Sequence, residues 1–428
     1  MNTDSYAPYP EYKNIGVEWV GDIPSHWETT PNKYLFRLKK NLVGKRSNEY
    51  TLLSLTLGGI IARDMENPEG KFPAEFDTYQ EVFAGDFVFC HFDVEETPRT
   101  IGLSPIDGMI TGAYTVYETI EGVDLGFLEY FYLNADKDKK LKGMYRGLRN
   151  TIPKESFGAF QTPIPPLPEQ KAIATFLDQK TAKIDQAIKI KEQQIALLKE
   201  RKQITIQQAV TRGLNPDAPM KDSGIDWIGE IPAHWESIKL KHLFYEVNNR
   251  TDTGEEVLLS LRMEIGLVPH DEVSDKAISD QELVGYKIVE PGQVVMNRMR
   301  ASIGIFGVAT RVGLVSPDYA VFDVAPSASN EYFLIFFKTS LLGTQFRLSS
   351  KGLGTGSSGF MRLYTDNFGD IKVPLCDISE QDQIVQFIQR KTETIDDGIS
   401  VIQSQIDTYK EYKTTLINAA VTGKIKVA

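Results

Sequence analysis

Apolar residues along 177–209 recur at alternating spacings of four and three. This puts Leu177, Ile184, Lys191, Leu198 and Thr205 on one row of a helix and Thr181, Ile188, Ile195, Lys202 and Ala209 on the next. Residues 388–420 repeat the pattern, with Ile388, Ile395, Ile402, Tyr409 and Leu416 beside Thr392, Ile399, Ile406, Lys413 and Ala420. The second row carries the same residue types in both copies. Such stripes are too narrow for a globular core and right for a partner helix, so the two seams are expected to bury each other as a coiled coil.

The doubling extends beyond the seams. Residues 13–28 read KNIGVEWVGDIPSHWE and residues 221–236 read KDSGIDWIGEIPAHWE, matching Trp19 with Trp227, His26 with His234 and Trp27 with Trp235. Leu52-Leu53-Ser54-Leu55 returns as Leu258-Leu259-Ser260-Leu261, and Pro163 with Glu169-Gln170 returns as Pro374 with Glu380-Gln381. The whole chain reads as a tandem duplication. Each half opens with short strand-like runs, such as 87–92 and 294–299, broken by Gly, Pro and Asp and interrupted by short helices at 125–133 and 332–342. Each half closes with a long helix. The first follows a Pro-rich hinge at 163–168 and stops near Gly213, which suits a C-terminal cap. For the second, Ser379 with Asp382 predicts an N-cap of capping-box type, and Thr422-Gly423 marks the end. The expected architecture is α+β: two tandem-repeated α/β modules at 1–166 and 215–377, with long helices at 167–214 and 378–428.

The lysines in the seam carry a direction. Parallel pairing would set Lys202 against Lys413, like charges at one buried layer. Antiparallel pairing about a pseudo-twofold axis brings Lys202 near Thr392, Glu393 and Asp396, and Lys413 near Thr181 and Asp185. An antiparallel coiled coil is therefore expected.

Composition narrows the function classes. At 428 residues the chain exceeds one ordinary core, and its 41% hydrophobic and 25% charged content is that of a water-soluble protein. No apolar run reaches the roughly 18 residues of a membrane span, and the start lacks a secretory signal, which points to the cytoplasm. Cys90 and Cys376 lie in different halves and are expected to be reduced structural thiols. His26 and His234 each stand between Pro and Trp without ligand-type neighbours, so they read as packed structural residues and not as metal ligands. The flanking tryptophans read as anchors that pin each module against the base of a helix. The Gly-rich run at 352–359 lacks the Gly-Lys-Ser/Thr ending of a phosphate loop and reads as a flexible loop. No Asp/Asn/Ser-Pro-Pro-Tyr/Phe tetrapeptide and no nucleophile set is present, so no catalytic site is expected.

A net charge of -11 argues against general adhesion to nucleic acid but hides local basic stretches. Residues 137–154 hold seven basic side chains against Asp138 alone. Residues 338–362 and 296–311 hold basic side chains and no acid. These stretches fall at matching places in the repeat and predict a nucleic-acid face built from Lys139, Lys140, Lys142, Arg146, Arg149 and Arg99 in the first half and Arg298, Arg300, Arg347, Lys351 and Arg362 in the second. Opposite the Arg298–Arg300 loop the first half carries Glu95 and Glu96, with Arg99 the nearest base. The halves should therefore read different sequences.

The W-[VI]-G-[DE]-I-P-x-H-W segments, the run GQVVMNRMRASIG at 292–304, the hinge IPPLPEQ at 164–170 and the ending AVTGKI at 420–425 together resemble the specificity subunits of Type I restriction-modification systems, over nearly the full chain. The resemblance implies a noncatalytic subunit with two target-recognition domains, each reading one half of a bipartite, asymmetric site on double-stranded DNA. It also implies that the paired helices act as spacer and dock two methyltransferase subunits. Those partners would bring S-adenosylmethionine and methylate adenine N6, and a restriction and translocase subunit would use ATP and Mg; this chain itself would bind no cofactor. A helix of about 45 residues, roughly 65 Å long, would hold two modules more than one duplex turn of roughly 34 Å apart. Two other classes compete. A helical scaffold that binds only proteins leaves the recurrent basic stretches unexplained, and a single-chain modification enzyme lacks the motifs for cofactor and target base. The repeat predicts that a circular permutant opened near Asn215 folds, checked by circular dichroism and melting; loss of folding would count against a pseudo-twofold arrangement.

Overall fold

The computed structural model describes residues 6–65, 75–276, 278–353 and 360–427. The chain divides into two compact units, Met1–Glu192 with Gln403–Ala428, and Gln193–Ile402. In the first, an antiparallel four-stranded sheet has the order Phe36–Lys39, Thr115–Thr119, Phe87–Phe89, Ile101–Leu103. Phe36 stands at the centre of an aromatic core, in contact with Phe87, Phe89, Tyr117, Tyr132 and Phe157. Helix α1 (Leu125–Lys137) starts at Asp124, whose carboxylate accepts the Phe127 amide. It delivers Phe127, Phe131 and Tyr132, all fully buried. Helix α2 (Lys154–Ala159) adds Phe157, and α3 (Leu167–Arg212) begins here.

The second unit carries an antiparallel sheet of equivalent order, Phe244–Val247, Tyr319–Val324, Val294–Asn297, Phe306–Val308. Its helices are α4 (Asp280–Leu283), α5 (Asn330–Phe337), α6 (Ser340–Ser349), α7 (Thr365–Gly369) and the start of α8 (Ile378–Val421). The helix expected at 332–342 is two helices. Lys338 closes α5, and the Thr339 hydroxyl then accepts the Leu342 amide as a fresh N-cap for α6. α8 likewise starts before the position expected from Ser379, because the Asp377 carboxylate accepts the Glu380 amide at 3.0 Å and so acts as the cap. Residues 354–359 of the Gly-rich run, on which the flexible-loop expectation rests, lie outside the described residues.

Each unit contains the start of one long helix and the end of the other. In the first, Lys413 donates to both carboxylate oxygens of Asp185 at 2.7 Å, and Lys191 donates to Gln405 at 2.6 Å. In the second, Lys202 donates to both oxygens of Asp396 at 2.8 and 2.6 Å. The C-terminal stops are left-handed glycines, Gly213 at φ 72° and Gly423 at φ 71°. Past the second stop, Lys426 donates its backbone N–H to the Ala7 carbonyl, and Lys424 Nζ reaches the Asp22 carbonyl at 2.5 Å.

Gly423 is held by space as well as by φ. A Cβ there would lie 2.3 Å from Pro24 Cδ and 3.2 Å from the buried Trp27 ring, whereas one at Gly224, φ 63°, would meet nothing within 4 Å. Gly224→Ala should lower stability by about 1 kcal/mol, the left-handed penalty alone. Gly423→Ala should lose about 3 kcal/mol, because overpacking adds to it. Urea melts measure both, and equal losses would refute the packing argument.

Candidate nucleic-acid interface

The ends of the long helices fasten each sheet to its surroundings through one repeated constellation. In the first unit the Trp27 ring is fully buried and its Nε1–H donates to Glu169 Oε1 at 3.0 Å, while His26 Nε2 lies 2.9 Å from Oε2. The Tyr9 hydroxyl donates to the same carboxylate, and burial beside that carboxylate pushes the phenol pKa far up. In the second unit Trp235 Nε1–H and His234 Nε2 meet Glu380 Oε2 at 3.0 and 2.8 Å. The next residue caps a neighbour: Gln170 accepts the Asp124 amide at 2.8 Å, and Gln381 accepts the Ser329 amide at 2.8 Å. The tryptophans are thus pinned to the first turn of α3 and of α8. The histidines are about half exposed, their side chains 48% and 57% accessible, and are held by a carboxylate instead of by packing. Among the described residues no group of three or more His, Cys, Asp or Glu could hold a metal ion.

The predicted cations of the first unit separate into two groups. Arg99, Lys139 and Lys140 are turned inward. Arg99 donates to the Ile101 and Leu57 carbonyls at 2.8 and 3.0 Å, and burial, only partly offset by Glu129, lowers its pKa. Lys139, in the left-handed region at φ 50°, bonds the Thr97 carbonyl and Asp136 at 2.7 Å each. Lys140 bonds Asn134 and Asn418 and lies over the Trp19 ring. Lys142, Arg146 and Arg149 are exposed. Arg146 pairs with Thr151 through both backbone bonds, and Arg149 forms a two-point contact with Asp93 while its guanidinium covers Phe92.

In the second unit Arg298 is the inward member. It donates to Glu246 and, at 3.0 Å, to Thr365, with its side chain 15% exposed. The same Glu246 oxygen takes the ammonium of Lys287 at 3.2 Å, and burial lowers the Lys287 pKa. Arg300, Arg347 and Lys351 are exposed, and Arg362 bonds Asp318 at 3.0 Å. The turn at Arg298 and the end of the Phe360–Arg362 strand are brought together by the Leu363 amide, which donates to the Arg298 carbonyl at 2.9 Å.

Sequence reasoning from charge passed over a second class of exposed residue. Met299 (45%), Ile303 (51%), Leu348 (74%) and Met361 (44%) are exposed apolar side chains interleaved with the basic ones of the second unit, and Leu148 (104%) is the counterpart in the first. Their alternation with arginine along 298–303 and 346–349 was the available signal. A face that mixes exposed guanidinium groups with exposed apolar tips can meet phosphates, guanine edges and thymine methyl groups at once.

The chain is similar to known proteins over most of its length. No family model matches the chain. The curated relatives are Type I restriction enzyme specificity subunits. The MjaX specificity subunit of Methanocaldococcus jannaschii, provisionally so named, is 22% identical over 451 residues, spanning 97% of each chain. The MjaVIII specificity subunit of the same organism is 25% identical over 318 residues, 70% of each chain. The EcoKI specificity subunit of Escherichia coli K12 is 26% identical over 231 residues, 50% of this chain and 48% of its own. The fold is shared with solved chains from type I R-M systems. A chain from a structural study of assembly and conformational transition of a type I R-M system superposes with a TM-score of 0.65 at 12% identity, covering 93% of this chain and 98% of that one. The HsdS subunit of Thermoanaerobacter tengcongensis gives 0.52 at 14%, covering 94% and 98%. Among the described residues no helix is long and apolar enough to cross a membrane.

The base of the 145–152 segment rests on His91, whose carbonyl accepts the Ile152 amide at 2.8 Å. Its ring stacks on Phe89, and burial lowers its pKa from 6.5 to about 4. The unfolded chain takes up a proton below pH 6.5 that the folded protein refuses until about pH 4. Stability from this group is therefore complete above 6.5 and falls on acidification, by on the order of 3 kcal/mol in total. His91→Phe keeps the stacking and should flatten the pH dependence of urea-melt stability between 6.5 and 4; identical slopes in both proteins would refute the assignment.

Proposed function

We propose that this chain is the noncatalytic DNA sequence-specificity subunit of a cytoplasmic Type I restriction-modification complex. The observation that carries the reading is similarity over 97% of both chains to a protein provisionally named a type I restriction enzyme specificity subunit, joined to a fold shared with an HsdS subunit and with a chain from a type I R-M system study. In this reading residues 1–166 and 215–377 are target-recognition domains, each reading one half of a bipartite, asymmetric duplex site. Lys142, Arg146 and Arg149 serve the first half-site, and Arg300, Arg347, Lys351 and Arg362 serve the second. The exposure of Lys142, Arg146, Arg149, Arg300, Arg347 and Lys351 supports the assignment, whereas Arg362 is only 20% exposed and would have to release Asp318. Arg99, Lys139, Lys140 and Arg298 act from beneath, holding the reading segments in shape through the carbonyls and carboxylates they already engage.

Residues 167–214 and 378–428 form an antiparallel coiled coil that spaces the two domains. The reading is supported by the descending order of partners, Asp185 with Lys413 and then Lys191 with Gln405, and by Lys202 with Asp396 in the other unit. Helices of 46 and 44 residues are about 65–70 Å long, ample for a spacer over more than one duplex turn. Leu197, Ile204 and Val401 remain 64%, 48% and 58% exposed in the second unit and offer an apolar surface to helices of two methyltransferase subunits. S-adenosylmethionine, ATP and Mg belong to the methyltransferase and restriction partners in this scheme.

Methylome sequencing tests it in host strains carrying the chain, lacking it, or carrying one heptad inserted at matching layers of both long helices. We expect a bipartite methyladenine motif that vanishes with the chain. The insertion should change the gap between half-sites, leaving the half-sites themselves unaltered. A motif that persists without the chain would favour a protein-only scaffold; altered half-site sequences would reject the spacer role.

A further inference from the structure

We infer that Leu148 is a wedge side chain that enters a base step of the half-site read by the first unit; the inference rests on the DNA-reading function proposed above. Four residues, 147–150, form the tip of a tight hairpin closed by the reciprocal backbone bonds of Arg146 and Thr151 at 2.8 and 3.1 Å. Gly147 at φ 68° and Asn150 at φ 42° give the left-handed turns that the tip requires. The tip is tied to the 91–96 loop from several directions. The Asp93 amide donates to the Arg149 carbonyl at 2.7 Å, Arg149 grips the Asp93 carboxylate, and Asn150 Nδ2 donates to Glu96 at 3.0 Å.

This fastening leaves Leu148 104% exposed, projecting as fully as a side chain in an isolated peptide. It is the only large apolar side chain in 137–154 more than a third exposed. A protein pocket normally takes its anchor residue inside a ring of further apolar contacts. Leu148 has charged neighbours instead: Arg146 in the same hairpin and Lys142 before it in sequence are exposed and form no ion pair among the described residues, while Arg149 is held by Asp93, and Glu96 accepts from Asn150. A single preorganised apolar prong flanked by cations fits a duplex, where phosphates meet the cations and an aliphatic tip displaces the stacking of one step. Pyrimidine–purine steps yield most easily, so the half-site should contain one at the wedge position.

The test uses the full chain assembled with its methyltransferase partners and duplexes carrying the methylated motif, with 2-aminopurine placed at each position of the first half-site in turn. Fluorescence should rise at one step distinct from the methylated adenine. Leu148→Ala should abolish that rise and weaken binding about tenfold, with binding to non-specific duplex unchanged. Leu148→Met should retain both properties, and a mismatch at the wedge step should restore binding by Leu148→Ala. Wild-type affinity and an unchanged signal in Leu148→Ala would overturn the proposal. So would normal DNA binding by Leu148→Ala joined to failed assembly in sedimentation, which would make the prong a protein contact. Absence of any sequence-dependent binding by the wild-type complex would instead overturn the functional reading itself.

Discussion

The carboxylate on the first turn of each long helix is the constraint on which each unit depends. A buried indole N–H must find an acceptor, since leaving it unpaired costs about 1–3 kcal/mol. Trp27 and Trp235 have none in their own segments, and Glu169 and Glu380 supply it. The acceptor is well placed, because the positive end of the helix dipole favours a carboxylate in the first turn. The glutamine that follows each one captures the amide that opens α1 or α5. A Glu-Gln pair therefore sets tryptophan, short helix and long helix in one mutual position. The left-handed glycine that ends the other long helix packs on the same tryptophan, Gly423 on Trp27 and Gly213 on Trp235. One indole ring thus joins the start of one long helix to the stop of the other within each unit.

That economy explains why so much of the fold was legible in the sequence. The heptad position of each lysine anticipated the acidic side chain it meets, Asp396 for Lys202 and Asp185 for Lys413. The matched W-x-G-x-I-P-x-H-W and Glu-Gln segments announced that tryptophan and helix start belong together, although the hydrogen bond between them could not be seen from spacing. Misplaced boundaries have local causes. Asp377 competes with Ser379 for the role of cap and wins because its carboxylate reaches the Glu380 amide. Thr339 breaks an apolar run that periodicity alone reads as one helix.

The candidate interface was less legible, because a charge count says nothing about what each charge faces. Lys139 and Arg149 look equivalent within 137–154, but Lys139 folds back onto the Thr97 carbonyl and Asp136 while Arg149 points outward beside Asp93. The difference originates in backbone conformation. Lys139 follows the end of α1 in the left-handed region, which turns its side chain toward the protein, and no local pattern marks that turn. Arg298 is similar: Glu246 lies 52 residues away in sequence, and only the sheet brings the two together.

The inward cations bear on how specificity can change without loss of fold. Arg99, Lys140 and Arg298 each satisfy internal acceptors, so exchanging one would strand a buried polar group at a cost of about 1–3 kcal/mol or more. Lys142, Arg146, Arg300 and Arg347 satisfy nothing internal among the described residues beyond the Arg146 contact to the neighbouring Tyr145 carbonyl. Their replacement should cost almost no stability. The supporting cations are thus tied to the scaffold, and the exposed ones are free to vary without loss of fold. The Glu95 and Glu96 loop of the first unit and the Arg300 loop of the second occupy corresponding positions yet carry opposite charge. An acceptor suits the cytosine or adenine amino group and a guanidinium suits the guanine edge. Two units with the same strand order therefore present opposite charge at corresponding loops, a difference made by a few exposed side chains on equivalent sheets.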